Sequence, residues 1–231
     1  MSNFLRSGFV AIALTFVFGS LAVTETAAQP ATKILQRMDT HYKALESLQA
    51  DISRETYNSQ LEDTDKMSGN ISLKPGKGTD FSLLLEWTKP RDEVISVVNG
   101  KYMAFVKGSG QAFVGNSGSK KLNNKGGGVL KMLGRMDKAE IKSNYEVLYL
   151  GEEGVGGSVK TGHLRLTPKA KADYKFADIW VDSDGMVLQV KLTMLNNDTD
   201  TILLTKIKKN EISDVSIFKV KLPQGTKLIE G

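Results

Sequence analysis

From Leu48 onward, apolar and polar residues alternate in short runs, and this period of two constrains the chain more than any other feature. The clearest run is Met186, Leu188, Val190, Leu192 and Met194, interleaved with Val187, Gln189, Lys191 and Thr193. Leu48, Ala50 and Ile52 alternate in the same way, as do Ile71 and Leu73, then Phe81, Leu83, Leu85 and Trp87. Successive side chains of a strand point to opposite faces, so each run presents one greasy side. Asn99-Gly100 marks a two-residue hairpin between strands Glu93–Val98 and Lys101–Lys107, because both turn positions take positive φ. Further strands are expected at Tyr145–Leu150, His163–Leu166, Ala177–Val181, Thr201–Ile207 and Val215–Leu222, with turns at Asp182–Gly185 and Asn196–Asp200. Many short strands joined by tight turns predict a mainly β (α+β) fold, an antiparallel sheet curled on itself.

Two segments break the period. Ala31–Leu48 reads as a helix whose stripe is Ile34, Leu35, Met38, Tyr42 and Leu45. After a glycine-rich stretch, Gly115–Gly128, expected to be a mobile loop, Val129, Leu130, Met132, Leu133 and Met136 repeat at helical spacing. Two turns of helix are not stable alone in water, so this piece must lie on something apolar. Both helices are the expected covers for the greasy side of the sheet.

The first 28 residues read as a signal peptide. Arg6 precedes an uncharged apolar run, Phe9–Val23, and the small residues Thr26-Ala27-Ala28 suit a peptidase. The run is short for a membrane span, which needs about 20 apolar residues. Residues 29–231 are then expected to form a single exported domain. The chain has no cysteine, which excludes thiol catalysis, cysteine-ligated metals, disulfides and a lipid anchor on a cysteine. The formal charge of +5 comes from lysines spread along the chain, the mark of a solvated surface and not of a nucleic-acid binder.

Little in the sequence points to catalysis, a cofactor or a metal. His41 falls in the helical stripe, where it reads as a packing residue, and His163 opens a strand. Asp182-Ser183-Asp184-Gly185 lacks the further oxygens of a calcium loop. Gly115–Lys121 lacks the ending of a phosphate loop. Glu86 is the one acidic residue that we read as sitting in an apolar run. Methionine stands out instead: Met38, Met132, Met136, Met186 and Met194 lie on faces that should meet. Methionine is flexible and polarisable, so this grouping hints at a deformable apolar cavity. From the residues alone, the chain is an exported lipid-binding barrel and not an enzyme.

The pattern resembles the periplasmic outer-membrane lipoprotein carrier family, the LolA type. The resemblance spans Ile34 to about Ile229. It rests on Leu48-x-Ala50-x-Ile52, on Gly69-x-Ile71-x-Leu73-Lys74-Pro75, and on Glu86-Trp87-x-x-Pro90 followed by the Val98–Lys101 hairpin. It continues through Leu166-Thr167-Pro168, Ile179-x-Val181-x-x-x-Gly185-x-Val187 and Phe218-x-Val220-x-Leu222-Pro223-x-Gly225. It implies an incomplete barrel with lid helices over an apolar cavity. The cargo would be acylated lipoproteins, taken from an inner-membrane ATP-driven transporter and passed to an outer-membrane acceptor by a monomeric carrier. Cavity and lid would be lined by Ile34, Met38, Ile52, Leu73, Leu83, Leu85, Trp87, Leu130, Met132, Leu133, Met136, Met186, Leu188, Val190, Leu192 and Met194. Where the family's best-known branch has an arginine before the strand-ending proline, this chain has Lys74, the candidate lid clasp. Relatives of the same fold include RseB-type sensors, which regulate a membrane partner, and general lipid transport is a third reading.

The exported protein is expected to begin at Gln29. N-terminal sequencing of the periplasmic fraction checks this, and a membrane-retained form that keeps residues 9–23 would contradict it.

Overall fold

A computed structural model describes residues 25–76, 81–117, 138–157 and 159–230. In chain order these form helix α1 (Glu25–Ala44) and strands β1 (Leu48–Asn58), β2 (Asp63–Pro75), β3 (Phe81–Lys89), β4 (Glu93–Val98), β5 (Lys101–Val106) and β6 (Gln111–Asn116). Helix α2 (Lys138–Asn144) follows, then β7 (Tyr145–Val155), β8 (Val159–Pro168), β9 (Tyr174–Val181), β10 (Val187–Met194), β11 (Thr199–Lys209) and β12 (Lys227–Glu230). The strands make one curved sheet, ordered β12-β6-β5-β4-β3-β2-β1-β11-β10-β9-β8-β7, and the ends do not meet. Neighbours are antiparallel except β12, which runs parallel to β6. The expected incomplete barrel is therefore present, with a parallel pair at one edge. The expected helix at Val129–Met136 and most of the glycine-rich stretch lie outside the described residues.

The turns form where their residues favour them. Asn99 and Gly100 both hold positive φ, 52° and 73°. The Asp182 carboxylate accepts from the amides of Asp184 at 2.9 Å and Met186 at 2.8 Å, which closes the β9–β10 turn around Gly185. The α1 boundaries differ from the periodic reading. The helix starts earlier, at Glu25, and stops at Ala44 because Asn210 captures the chain beyond it. The Asn210 side-chain oxygen accepts from the amides of Glu46 and Ser47, while its own amide donates to Ser47 O at 2.8 Å. Leu48 is thereby free to open β1, paired with Leu73 on β2 and Lys209 on β11.

Two glycines seat α1 on the inner face of the sheet. A Cβ at Gly162 on β8 would lie 2.5 Å from Ile34 Cδ1, and one at Gly185 would lie 2.4 Å from the Arg37 carbonyl oxygen. Ile34, Leu35, Met38, Tyr42 and Leu45 are all buried there, so the helical stripe is the docking surface. The helix crosses the β7–β10 half of the sheet, with α2 beside it.

The C-terminal expectation is corrected. Val215–Leu222 is not a strand: Val215–Phe218 forms one turn of 3-10 helix. Asp214 caps that turn, accepting from the Ser216 amide at 2.8 Å and its hydroxyl at 2.6 Å. Such local side-chain bonds compete with strand pairing. Phe218, buried to 1% exposure, pins the segment to the outer face of the sheet, where Ser96 Oγ donates to Phe218 O at 2.5 Å. A second small apolar set, Val94, Phe105, Ala112, Ile212 and Phe218, is buried apart from the main cluster.

Gly185→Ala is expected to destabilise the fold by about 3 kcal/mol, because φ at 94° strains any side chain and the Arg37 carbonyl cannot yield. Gly162→Ala is expected to cost about 1 kcal/mol or less, since the tip of Ile34 can rotate away. Urea denaturation of both variants tests the contrast.

Candidate binding face

The residues singled out from the sequence converge. Ile34, Met38, Ile52, Leu73, Leu83, Leu85, Trp87, Met186, Leu188, Val190 and Leu192 belong to one buried cluster, and Met194 packs against it half-buried. The registers explain why. Leu73, Leu83, Val97 and Tyr102 are cross-strand partners on β2 to β5, as are Ile71, Leu85, Ile95 and Ala104 one step along. On the other half, Ile202, Val190 and Ile179 align across β11, β10 and β9. All face inward, so alternation on separate strands becomes one continuous apolar surface. Leu130, Met132, Leu133 and Met136 lie outside the described residues.

This face is closed in the structure. Met38, Leu85, Met186 and Val190 are 0% exposed. It is also almost free of charge. Burial pushes the Tyr42 and Tyr174 hydroxyls well above the ordinary tyrosine value, and Tyr174 shares a hydrogen bond of 2.8 Å with Tyr145. Both therefore stay neutral at physiological pH. The charges that the face does carry gather toward one end. Arg54 Nε and Nη2 each donate to Asp200 at 2.8 Å, a bidentate pair with 15% and 9% side-chain exposure. Glu93, opposite Trp87, is 4% exposed.

Lys74 sits toward the other end of the sheet, on β2 next to Pro75 and opposite Ser82, half-buried and without an ion pair among the described residues; because Leu73 faces inward, Lys74 is on the outer side of its strand. Any partner for it in the expected Val129–Met136 helix falls outside those residues.

Three features escaped the sequence reading. The buried carboxylates are Glu93, Asp178 and Asp200, whereas Glu86 is only half-buried. The Ala177-Asp178-Ile179 context was the available signal, an acid between two core residues. His163 is not an ordinary strand-start histidine. It stacks on Trp180 at 4.3 Å, with Nδ1 at 3.1 Å from Glu153 and Nε2 at 3.3 Å from Asp178. Arg165 holds Asp178 bidentately and lies 3.8 Å over Phe176. The third is a pocket of 560 Å³ on the outer face, lined by β4, β5, β6, β12 and the C-terminal segment. Its signal was Val94–Val98, where the whole run but Val98 is fully buried, as in a strand covered on both faces.

None of the described helices is long and apolar enough to cross a membrane. No family model and no curated protein sequence matches the chain. Solved structures do. MucB matches at a TM-score of 0.56 with 16% identity, over 84% of this chain and 63% of MucB, so the chain spans less than two thirds of that protein. MucB of Pseudomonas aeruginosa in complex with MucA gives 0.52 at 15% identity, over 83% of this chain and 61% of the other. An uncharacterized conserved protein from Thermus thermophilus gives 0.55 at 10% identity, over 88% of this chain and all of the other. A LolA superfamily protein from Nitrosomonas europaea is a looser likeness at 0.40 and 13% identity, over 82% and 97%, too distant to carry an argument. At these identities the likeness is one of fold. The open curved sheet with its inner helix is the fold that this chain shares with MucB and the Thermus protein.

Removing one partner of the Arg54–Asp200 pair leaves a charge stranded at the apolar face. Asp200→Ala is expected to cost about 3 kcal/mol, and Arg54→Met with Asp200→Leu much less. Chemical denaturation of the three variants measures the difference.

Proposed function

We propose that the protein is a periplasmic carrier that shields the acyl chains of lipoproteins between the inner face of the sheet and its covering helices. Lipoproteins would arrive from an inner-membrane ATP-driven transporter and leave to an outer-membrane acceptor. The observation that carries the reading is the continuous, nearly uncharged inner face, with eleven of the sequence-selected residues buried together in one cluster.

Because that face is closed, cargo must part the covers from the sheet. Exposing the five buried side chains of the α1 stripe costs about 10 kcal/mol, at roughly 2 kcal/mol each. Withdrawing one long acyl chain from water returns about 12 kcal/mol, at ~0.8 kcal/mol per CH₂. The terms are close, so one chain can displace a cover and a cover can in turn help expel a chain. The Val129–Met136 segment, whose sequence is amphipathic, is the proposed gate, with Lys74 as its clasp. A lysine offers a point charge to carbonyls at a helix C-terminus without the rigid fork of an arginine.

A second reading is a sensor that binds lipid or lipoprotein and regulates a membrane partner. The likeness to MucB, a protein solved in complex with MucA, favours it.

Mass spectrometry of ligands co-purified from the periplasm separates these readings. A carrier should yield acylated lipoproteins or their acyl peptides, and free lipid alone would favour the sensor or general lipid transport. A hydrophobic fluorescent probe should bind the native protein and be displaced by a triacylated lipopeptide. Lys74→Ala should raise hydrogen exchange of the 129–136 amides in the empty protein. Unchanged exchange in the variant would make Lys74 an ordinary surface residue.

A further inference from the structure

The outer-face pocket is separate from the inner face and is built from two rows of strand positions. Ser96, Met103, Val114 and Glu230 are cross-strand partners on β4, β5, β6 and β12. Val98, Lys101 and Asn116 form the adjacent row. The C-terminal segment closes one side with Phe218 and Lys219. Ser96 Oγ is committed to Phe218 O, so the hydroxyl ties that wall to the sheet. Val98, Met103 and Val114 are half-buried and form an apolar floor beside buried Phe218. A volume of 560 Å³ is the size of a site for one small ligand.

Its polar rim is unequal in charge. Lys101 and Lys219 both line it, and neither has an ion-pair partner among the described residues. Glu230 is the single carboxylate of the lining, on the β12 side. Elsewhere on the sheet, surface lysines such as Lys66, Lys160 and Lys206 sit within 4 Å of carboxylates. Two uncompensated cations beside a floor of Val98, Met103 and Val114 match a molecule with an anionic head and an apolar tail. Methionine in the floor tolerates tails of different shape.

We infer that this pocket is a second ligand site, which takes a single-chain amphiphile with a carboxylate or phosphate head between Lys101 and Lys219 and its tail on Met103 and Val114. The head would meet the lysine ammonium groups and the tail would shelter under Phe218. Glu230 disfavours anions at the β12 side and so sets the direction in which the ligand lies.

Methionine methyl NMR resolves this site from the inner face, because Met103 lines the pocket while Met38 and Met186 are in the inner cluster. The full chain is titrated with dodecanoate, dodecyl phosphate, dodecanol and inorganic phosphate. Saturable shifts of Met103 with one or both anionic amphiphiles are expected, and which of them binds identifies the head group. The variant Lys101→Gln with Lys219→Gln alters only exposed side chains, and should weaken that binding tenfold or more. Shifts confined to Met38 and Met186 would overturn the second site while leaving the carrier reading intact. Equal binding by dodecanol, or by the double variant, would overturn the anionic head, and equal response to inorganic phosphate would overturn the amphiphile.

Discussion

The width of the inner apolar face is the constraint on which the rest of the structure depends. Twelve strands at about 4.8 Å spacing make a sheet roughly 50 Å across, and one helix is only about 10–12 Å wide. Helix α1 therefore cannot by itself close that face. Curvature reduces the span, and the two ends of the sheet do not meet. With no cysteine in the chain, α1 is held by apolar contact together with hydrogen bonds from Lys138 Nζ to Gln36 Oε1 and from Asn210 Nδ2 to Ala44 O, and Gly162 and Gly185 let it approach the sheet closely.

The outer face answers a different need. A sheet with one wet face would be expected to present polar residues there, yet parts of it are covered. At one end the C-terminal segment lays Phe218 over β4 and adds β12 to the edge. At the other, the register shift between Tyr149 and Gly151 bends the β7–β8 hairpin. Its tip reaches the outer side of β11, where a side chain at Gly156 would touch Leu203 and Thr205. Trp180, His163 and Asp178 are enclosed on that side as a polar set with partners on three strands. Both ends of the open sheet are thus thickened on the outer face.

The inner face was legible because it depends on one-residue arithmetic: Leu83, Leu85 and Trp87, or Val190 and Leu192, fall on one side whatever the order of the strands. What was not legible depends on long-range partners. Nothing near Leu48 announces that Asn210 will stop the preceding helix. The alternation of Val215–Leu222 suited a strand, but Phe218 found its place across the sheet and Asp214 a bond to Ser216. The buried acids were missed for the same reason. Asp200 follows a turn in sequence, and only pairing with β1 brings Arg54 beside it.

A carrier of acyl chains must open its inner face to receive them. Photocrosslinking with a lipopeptide bearing a diazirine in its acyl chain, followed by peptide mapping, tests it most directly. Adducts are expected on α1, β3 and β10, at or beside Met38, Leu85 and Leu192. Adducts confined to the outer face, or none while the protein stays folded, would contradict it.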